Sequence, residues 1–369
     1  MIYFDNAATT VPICLPKDYF NPSSPHALGI KAERALRDAR KVLMDIICAD
    51  THISASNTGL PSDQGDIIFT SGGTESNNLA ILGFSLAHAK QGCAIAFNSF
   101  EHPSIHAPAL FAEERGWAAT ASLDAIPAGR VLVSISHVNH ETGDINDLPG
   151  VISMIKKANP LATIHVDGAQ GFCKEILPLD NVDLYSFSGH KFHGPPGVGG
   201  LWVRKGVKLV PLLYGGGQER EMRSGTENTH GIIQMAEAAV TQYKNRTENR
   251  EIVAKIKETL LLLCDDLPQV TINIVGDSAS PFILNMSFLG VKGEILVHAL
   301  SEKGVYVSMG AACRSRKNSQ PGLQVMGFSP EIAESAIRFS FSSLNTMEEA
   351  LIAREIIISE VNRFRKMKG

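Results

Sequence analysis

Apolar positions recur along this chain in two alternating rhythms. Over residues 27–49, Ala, Leu, Ile and Val return at helical spacing among Arg, Lys and Glu, which predicts an amphipathic helix. A short apolar run, Asp66-Ile67-Ile68-Phe69-Thr70, then stops at Ser71-Gly72-Gly73-Thr74, and a second helical stretch runs from about 75 to 90. Further short apolar runs cover Ala94–Phe97, Val131–Val138, Thr163–Val166, Val182–Phe187 and Leu201–Val203, with a helical segment near 149–158 among them. Short buried-looking strands that alternate with helices predict a largely parallel α/β sheet. After Gly231 the texture changes. Residues 231–264 read as one or two long helices, Ile283–Phe288 and Ala336–Phe341 as strands, and 293–303 and 347–366 as helices. This second part reads as a smaller α+β domain.

Composition narrows the field by exclusion. A chain of 369 residues allows roughly two domains and a sizeable core. A net charge of −4 argues against a protein that holds nucleic acid by bulk charge. The first residues carry no basic region followed by an apolar one, and no apolar run approaches membrane-spanning length. The expected setting is therefore cytoplasmic and reducing, with no membrane contact. Six cysteines stand at 14, 48, 93, 173, 264 and 313, with no CxxC among them. That pattern excludes zinc ribbons, dithiol redox motifs and disulfide scaffolds. The histidine pairs 102/106, 137/140 and 190/193 lack an HExxH or companion cysteines, so no metal site is expected.

In an open α/β sheet, ligands bind beyond the carboxyl ends of the strands. Three polar groups follow apolar runs here. Ser71-Gly72-Gly73-Thr74 opens a helix, where free N–H groups and two glycines let an anion approach; an ordinary threonine-capped turn is the plainer reading. Asp167 ends the run His165-Val166-Asp167, and Lys191 follows Ser188-Gly189-His190 after another buried run. A lysine there is expensive without a partner or a role. Pyridoxal 5'-phosphate requires such a set: a Schiff-base lysine, an acid facing the pyridinium nitrogen and a phosphate cradle.

The chain resembles the class V aminotransferase superfamily and, within it, the NifS/IscS-like cysteine desulfurases. The landmarks are Tyr3-Phe4-Asp5-Asn6-Ala7-Ala8-Thr9-Thr10, Asn21-Pro22-Ser23-Ser24, Phe69 through Asn78, Glu101-His102, His165-Val166-Asp167, Ser186 through Lys191, Arg223-Ser224-Gly225-Thr226, Gly310-Ala311-Ala312-Cys313 and Ile337-Arg338-Phe339-Ser340. The resemblance implies the fold type I architecture of pyridoxal-phosphate enzymes. Its large cofactor domain would span 13–247, and 1–12 with 248–369 would form a small domain carrying the nucleophilic cysteine loop. It also implies the roles. Lys191 would bind the cofactor covalently, Asp167 would pair with the ring nitrogen, Gln170 would bond the phenolic oxygen, and His102 would stack on the ring and shuttle protons. Gly73, Thr74, Ser188 and His190 would hold the phosphate, with Thr226 reaching in from the second subunit of a homodimer. Arg338 would clamp the carboxylate of L-cysteine, with Asn21 also on the substrate side. Cys313 would take the sulfur as a persulfide, release L-alanine and pass the sulfur to an acceptor protein.

Three features depart from the family pattern. His140, in Val138-Asn139-His140-Glu141-Thr142-Gly143, stands where an asparagine touches the cofactor. Arg314 follows the nucleophile where a small hydroxyl residue is common, and the stretch between Thr10 and Asn21 is short. The basic run Arg314, Arg316, Lys317 either favours the Cys313 thiolate or only solvates a loop that reads as mobile over 313–322. The rival activities are a selenocysteine lyase, another class V aminotransferase and, more distantly, a non-catalytic sulfur-carrier scaffold. Acceptors in iron–sulfur cluster assembly, tRNA thiolation, thiamine, molybdopterin and selenophosphate synthesis all remain open.

Overall fold

The computed structural model describes residues 2–6, 20–50, 65–177, 179–309 and 322–367. In chain order these form β1 (Ile2–Tyr3), α1 (Ala27–Ala49), β2 (Gly65–Thr70), α2 (Gly73–His88), β3 (Ala94–Phe97), α3 (Pro103–Glu114), β4 (Ala119–Ala121), β5 (Val131–Ser136), α4 (Leu148–Ala158), β6 (Thr163–Asp167), β7 (Leu184–Ser188) and β8 (Gly199–Arg204). There follow α5 (Thr229–Lys244), α6 (Arg246–Leu261), α7 (Leu263–Asp266), β9 (Val270–Ile272), β10 (Ile283–Phe288), α8 (Gly293–Glu302), β11 (Val305–Tyr306), α9 (Gly322–Val325), α10 (Pro330–Glu334), β12 (Ala336–Ser340) and α11 (Met347–Lys366). The chain divides into two compact units, a larger one from 11–137 and 147–244 and a smaller one from 1–10, 138–146 and 245–369.

The larger unit is built on a seven-stranded sheet in the order β2-β8-β7-β6-β5-β3-β4. Strand β8 runs antiparallel to both its neighbours, and the remaining pairs are parallel. Helices on the faces leave little water on either side, so all six residues of β5 and all five of β7 are buried. The carboxyl ends of β2, β5, β6 and β7 share one edge. Thr70 and Ser188 both pair with Gly199 there, and Asp167 lies between Ser136 and Ser186. Gly199 is there for steric reasons, since a Cβ on it would fall 2.6 Å from the Phe187 carbonyl oxygen and 2.7 Å from the Gly72 Cα. Its missing side chain lets the Gly72 turn lie against the sheet edge.

A histidine sits inside this sheet. His165 is fully buried on β6, with Nδ1 against Ser134 Oγ at 2.9 Å and Nε2 against Ser186 Oγ at 2.8 Å. Burial pushes it down to about 4 against the opposing pull of Asp167, and burial does the same to His137, also to about 4. Between that value and the ordinary 6.5, the unfolded chain binds more protons than the folded one. The stability contributed by each neutral ring is therefore complete above about pH 6.5 and falls toward pH 4, by up to about 1.4 kcal/mol per pH unit per ring. Thermal unfolding midpoints should drop across that window, and His165→Gln should flatten the drop. Parallel curves for variant and wild type would refute the assignment.

In the smaller unit, β9, β10 and β12 form an antiparallel sheet in the order β12-β10-β9, and β1 pairs in parallel with β11. Phe288, Phe339, Leu296 and Ile357 share its core. Helix α11 starts at a capping box in which Thr346 and Glu349 satisfy each other's backbone N–H groups. The segment 138–146 belongs to this unit although the neighbouring sequence on both sides does not. Ile145 N–H donates to the Ser278 carbonyl, Asp144 bridges to Ala279, and the Asp144 carboxylate accepts from the N–H groups of Val275 and Gly276.

Most strands and helices fall within a few residues of the sequence pattern. Two differences have local causes. The long helical region divides at Asn245 and Leu262 into α5, α6 and α7. Helix α3 escapes the pattern because it starts at Pro103 and carries Pro108 inside. Its start is set by the His102 side chain, which caps Ser104 N–H.

Candidate active site

The carboxyl edge of the large sheet gathers the polar residues of a site. At its start, α2 has Gly72 as N-cap, with φ of 150° and no side chain to satisfy the first free N–H groups. Thr70 Oγ1 meets Ser76 Oγ at 2.8 Å, and Ser71 N–H donates to Glu75 Oε2 at 2.8 Å, which fixes the turn. Ser188 stands behind it. Its hydroxyl is buried, has no hydrogen-bond partner, and lies 3.4 Å from where a Gly72 Cβ would be. A buried unsatisfied hydroxyl beside the open end of a 16-residue helix is a fitting place for a phosphate.

Asp167 is buried at the end of β6. Its Oδ1 accepts from Ala169 N–H at 3.0 Å and its Oδ2 from Asn77 Nδ2 at 2.8 Å. Asn77 Nδ2 also donates to Ser104 Oγ at 2.8 Å, and Ser104 Oγ lies 2.8 Å from His102 Nδ1. Because Ser104 N–H also donates to that same Nδ1, at 3.1 Å, the nitrogen acts as an acceptor. A neutral His102 therefore carries its proton on Nε2. One amide thus connects the acid to the imidazole.

Lys191 ends a short 3-10 turn, Gly189–Lys191, directly after Ser188, and is half-buried beside His190. Burial, then the charges of Lys191 and Lys174, push His190 down to about 4, so it is neutral and can donate a hydrogen bond to an anion. The same crowding acts on Lys174, which burial and Lys191 lower to about 7. Glu101 is lifted to about 8 by burial, with Asp167 adding to it against hydrogen bonds from Ser136. It therefore holds a proton at neutral pH. Gln170 is buried in the same unit, Gly73 is half-buried, and Thr74 and Thr226 are exposed. Asn21 is exposed too, where its Oδ1 accepts from Ser23 N–H.

A turn over 217–226 is anchored beside the cradle. Arg223 Nε donates to Glu75 Oε1 at 2.9 Å. Glu219, Arg220 and Glu221 all have positive φ, at 47°, 56° and 66°. Three such residues in a row persist only where the surroundings fix them. Arg40 does so: it stacks on Phe69, donates to the Ile67 carbonyl and grips Glu219 with both Nη groups, at 2.6 and 3.1 Å. Phe69 N–H adds a third bond to Glu219, and Arg220 pairs with Asp66.

Two other site residues read from the sequence belong to the smaller unit. His140 and Arg338 meet in the smaller unit, where Arg338 Nη1 donates to the His140 carbonyl at 2.6 Å. Arg338 is 3% exposed, reaches Ser308 Oγ at 3.2 Å and Asp5 at 3.5 Å, and leaves its Nε without a partner. Cys313 lies outside the described residues, as does all of the 313–322 loop except Gly322. Asn77, Ser104, Glu101, Lys174 and the Arg40–Glu219 pair are additions to the sequence reading. Two of them, Asn77 and Glu101, lie inside the strings that carry the resemblance. Among the described residues, no group of three or more His, Cys, Asp or Glu is placed to hold a metal ion, and no helix is long and apolar enough to cross a membrane.

Helices over a mostly parallel sheet, with an acid, a lysine and an open helix start at one edge, define a class, and known proteins of that class match this chain. The family model for class-V aminotransferases matches residues 2–351, and the chain belongs to that family. A NifS/IcsS protein homolog of Lactobacillus delbrueckii subsp. bulgaricus is 38% identical, over 95% of this chain and 94% of its own length. The cysteine desulfurase IscS of Pseudomonas putida is 35% identical, over 99% and 94%. Among solved structures, a NifS-like protein superposes with a TM-score of 0.86 at 30% identity, covering 98% of this chain and 99% of that one. Within the class, the chain is one of the NifS/IscS cysteine desulfurases.

Proposed function

We propose that this enzyme uses pyridoxal 5'-phosphate to take the sulfur from L-cysteine, stores it as a persulfide on Cys313 and gives it to an acceptor protein. The observation that carries the cofactor is the sheet edge itself. A buried carboxylate, a lysine, and an open helix start backed by an unsatisfied hydroxyl stand within one compact unit. When bound, pyridoxal phosphate supplies an electron sink for charge at the substrate Cα. Lys191 would hold the cofactor through its amine. The first N–H groups of α2, with Ser188 and neutral His190, would bind the phosphate, and Gln170 would face the ring oxygen. Asp167 would keep a proton at the ring nitrogen, and His102 would deliver protons from Nε2. Arg338 would bind the substrate carboxylate with the planar fork that such a group needs.

Cys313 then acts as a nucleophile toward the substrate sulfur. An S–S bond forms, the substrate C–S bond breaks, and the carbon skeleton leaves as L-alanine after a proton is added. The same reading gives a homodimer, in which Thr226 serves the neighbouring protomer's phosphate, and a cytoplasmic setting. The exposed turn that carries Thr226 is consistent with that reach.

The test is to supply L-cysteine and a thiol reductant to wild type and to Cys313→Ala. Wild type should release sulfide and alanine in equal amounts, and the variant should release neither above background. Sulfide release by the variant at the wild-type rate would overturn the persulfide route. Selenocysteine turnover that survives the change would favour a selenocysteine lyase.

A further inference from the structure

A cleft of about 460 Å³ opens in the larger unit at the sheet edge opposite Asp167 and Ser188. It sits where β5, β6 and β7 begin and β8 ends: Arg130 precedes Val131, Thr163 opens β6, Asp183 precedes Leu184, and Arg204 closes β8. Arg130, Lys156, Arg204, Lys205 and Lys208 line it, and Asp183 is the single carboxylate among the lining residues. In a chain whose net charge is −4, this is a concentrated positive surface.

Two of the cations are held on the carboxylate. Asp183 fixes the floor, with Lys156 at 3.7 Å and Arg204 at 3.4 Å, while its Oδ2 accepts from Ile164 N–H. Arg204 is fixed further by the Val182 and Leu179 carbonyls, and Lys156 by the Ala162 carbonyl. Arg130 and Lys208 add two more positive charges to the lining. His88 forms part of the wall. It is 7% exposed, packs against the Phe84 ring, and has a buried Nδ1 with no hydrogen-bond partner. Positive charge gathered around a single carboxylate calls for a ligand that carries negative charge and accepts hydrogen bonds.

We propose that this cleft binds a small molecule carrying two or more phosphate groups. Its volume falls within the range of roughly 300–1,000 Å³ usual for small-molecule sites, and planar guanidinium groups suit phosphate oxygens. Five cations around one carboxylate favour a multivalent anion over a single phosphate. His88 gives the site a reporter. Burial and the charges of Arg130 and Lys208 lower its pKa, with a hydrogen bond from its ring to Gln91 opposing them. An anion seated between the cations screens them and should raise it again.

The probe is inorganic tripolyphosphate, titrated calorimetrically into enzyme already loaded with pyridoxal phosphate so that the cradle at Gly73 is filled. One molecule should bind per chain. Arg130→Gln combined with Lys208→Gln should weaken binding at least tenfold, while Lys303→Gln, an exposed lysine of the smaller unit, should leave it unchanged. The His88 ring resonances should titrate at higher pH when tripolyphosphate is present. Equal affinity in wild type and the double variant would overturn the proposal, as would an equal loss in Lys303→Gln or an unmoved His88. Hexaglutamate binding as tightly as tripolyphosphate would also overturn it, and would make the cleft a dock for acidic protein segments.

Discussion

Asp167→Asn enzyme is expected to keep pyridoxal phosphate and lose cysteine turnover by about 10²–10³-fold, the usual scale for removing one fixed electrostatic group from an active site. The carboxylate is held from two sides, by Asn77 and by the Ala169 N–H, so its position does not depend on the cofactor. An amide can occupy the same space, but it carries no charge to keep the ring nitrogen protonated. The measurement is the cofactor absorption band together with sulfide release under saturating cysteine. A variant with the band intact and wild-type turnover would remove Asp167 from its role. Asn77→Leu separates charge from position. It leaves the acid in place but removes the donor shared by Asp167 and Ser104, so a smaller loss is expected, together with a shifted pH profile as His102 loses its support.

The second large effect concerns folding rather than chemistry. Arg40→Ala should destabilise the protein by about 3–5 kcal/mol, the range found when one partner of a buried ion pair is removed. Glu219, whose side chain is 2% exposed, would keep its charge and lose both guanidinium bonds, while the Phe69 N–H would still donate to its carboxylate. The turn at 219–221 would lose the clamp on its three positive-φ residues. Since the same turn sends Arg223 to Glu75 at the start of α2, weaker cofactor retention should accompany the lost stability. Urea unfolding and the rate of cofactor release measure the two effects. A variant with an unchanged unfolding midpoint would show that the pair contributes little. Arg40→Met with Glu219→Gln tests whether the charge or only its balance matters, because replacing both members of a buried pair can be nearly neutral.

Those two effects mark what could be seen in the sequence. Asp167 is visible there because a polar residue ends an apolar run, and in this kind of sheet such a position faces the site. Ser188 and Lys191 are visible for the same reason, and β3 and β10 match their apolar runs end to end. Arg40 is not visible: it looks like one more charge on an amphipathic helix, and its partner lies 179 residues away. The link from Asn77 to Ser104 spans 27 residues and crosses from α2 to α3, so no periodicity reports it. Segment 138–146 follows an apolar run that reads as one strand to Val138. In the fold that strand ends at Ser136, and the next residues pair with 278–280. Local patterning places strands to within a few residues and does not report distant pairings.

The smaller unit is assembled from three separated stretches, and Ile2 at its beginning pairs with Val305. During synthesis, its first strand must therefore wait for almost the whole chain before it finds its neighbour. The stretch at 138–146 must likewise leave the ribosome long before its partners at 275–280. Contacts so far apart in sequence form slowly. The larger unit, complete by residue 244, can organise its sheet first and leave the two early segments to be captured last. A chain cut after Lys244 would thus retain the cofactor edge but carry two orphaned segments with nowhere to dock. Ribosome stalling or limited proteolysis late in synthesis should accordingly yield fragments prone to association.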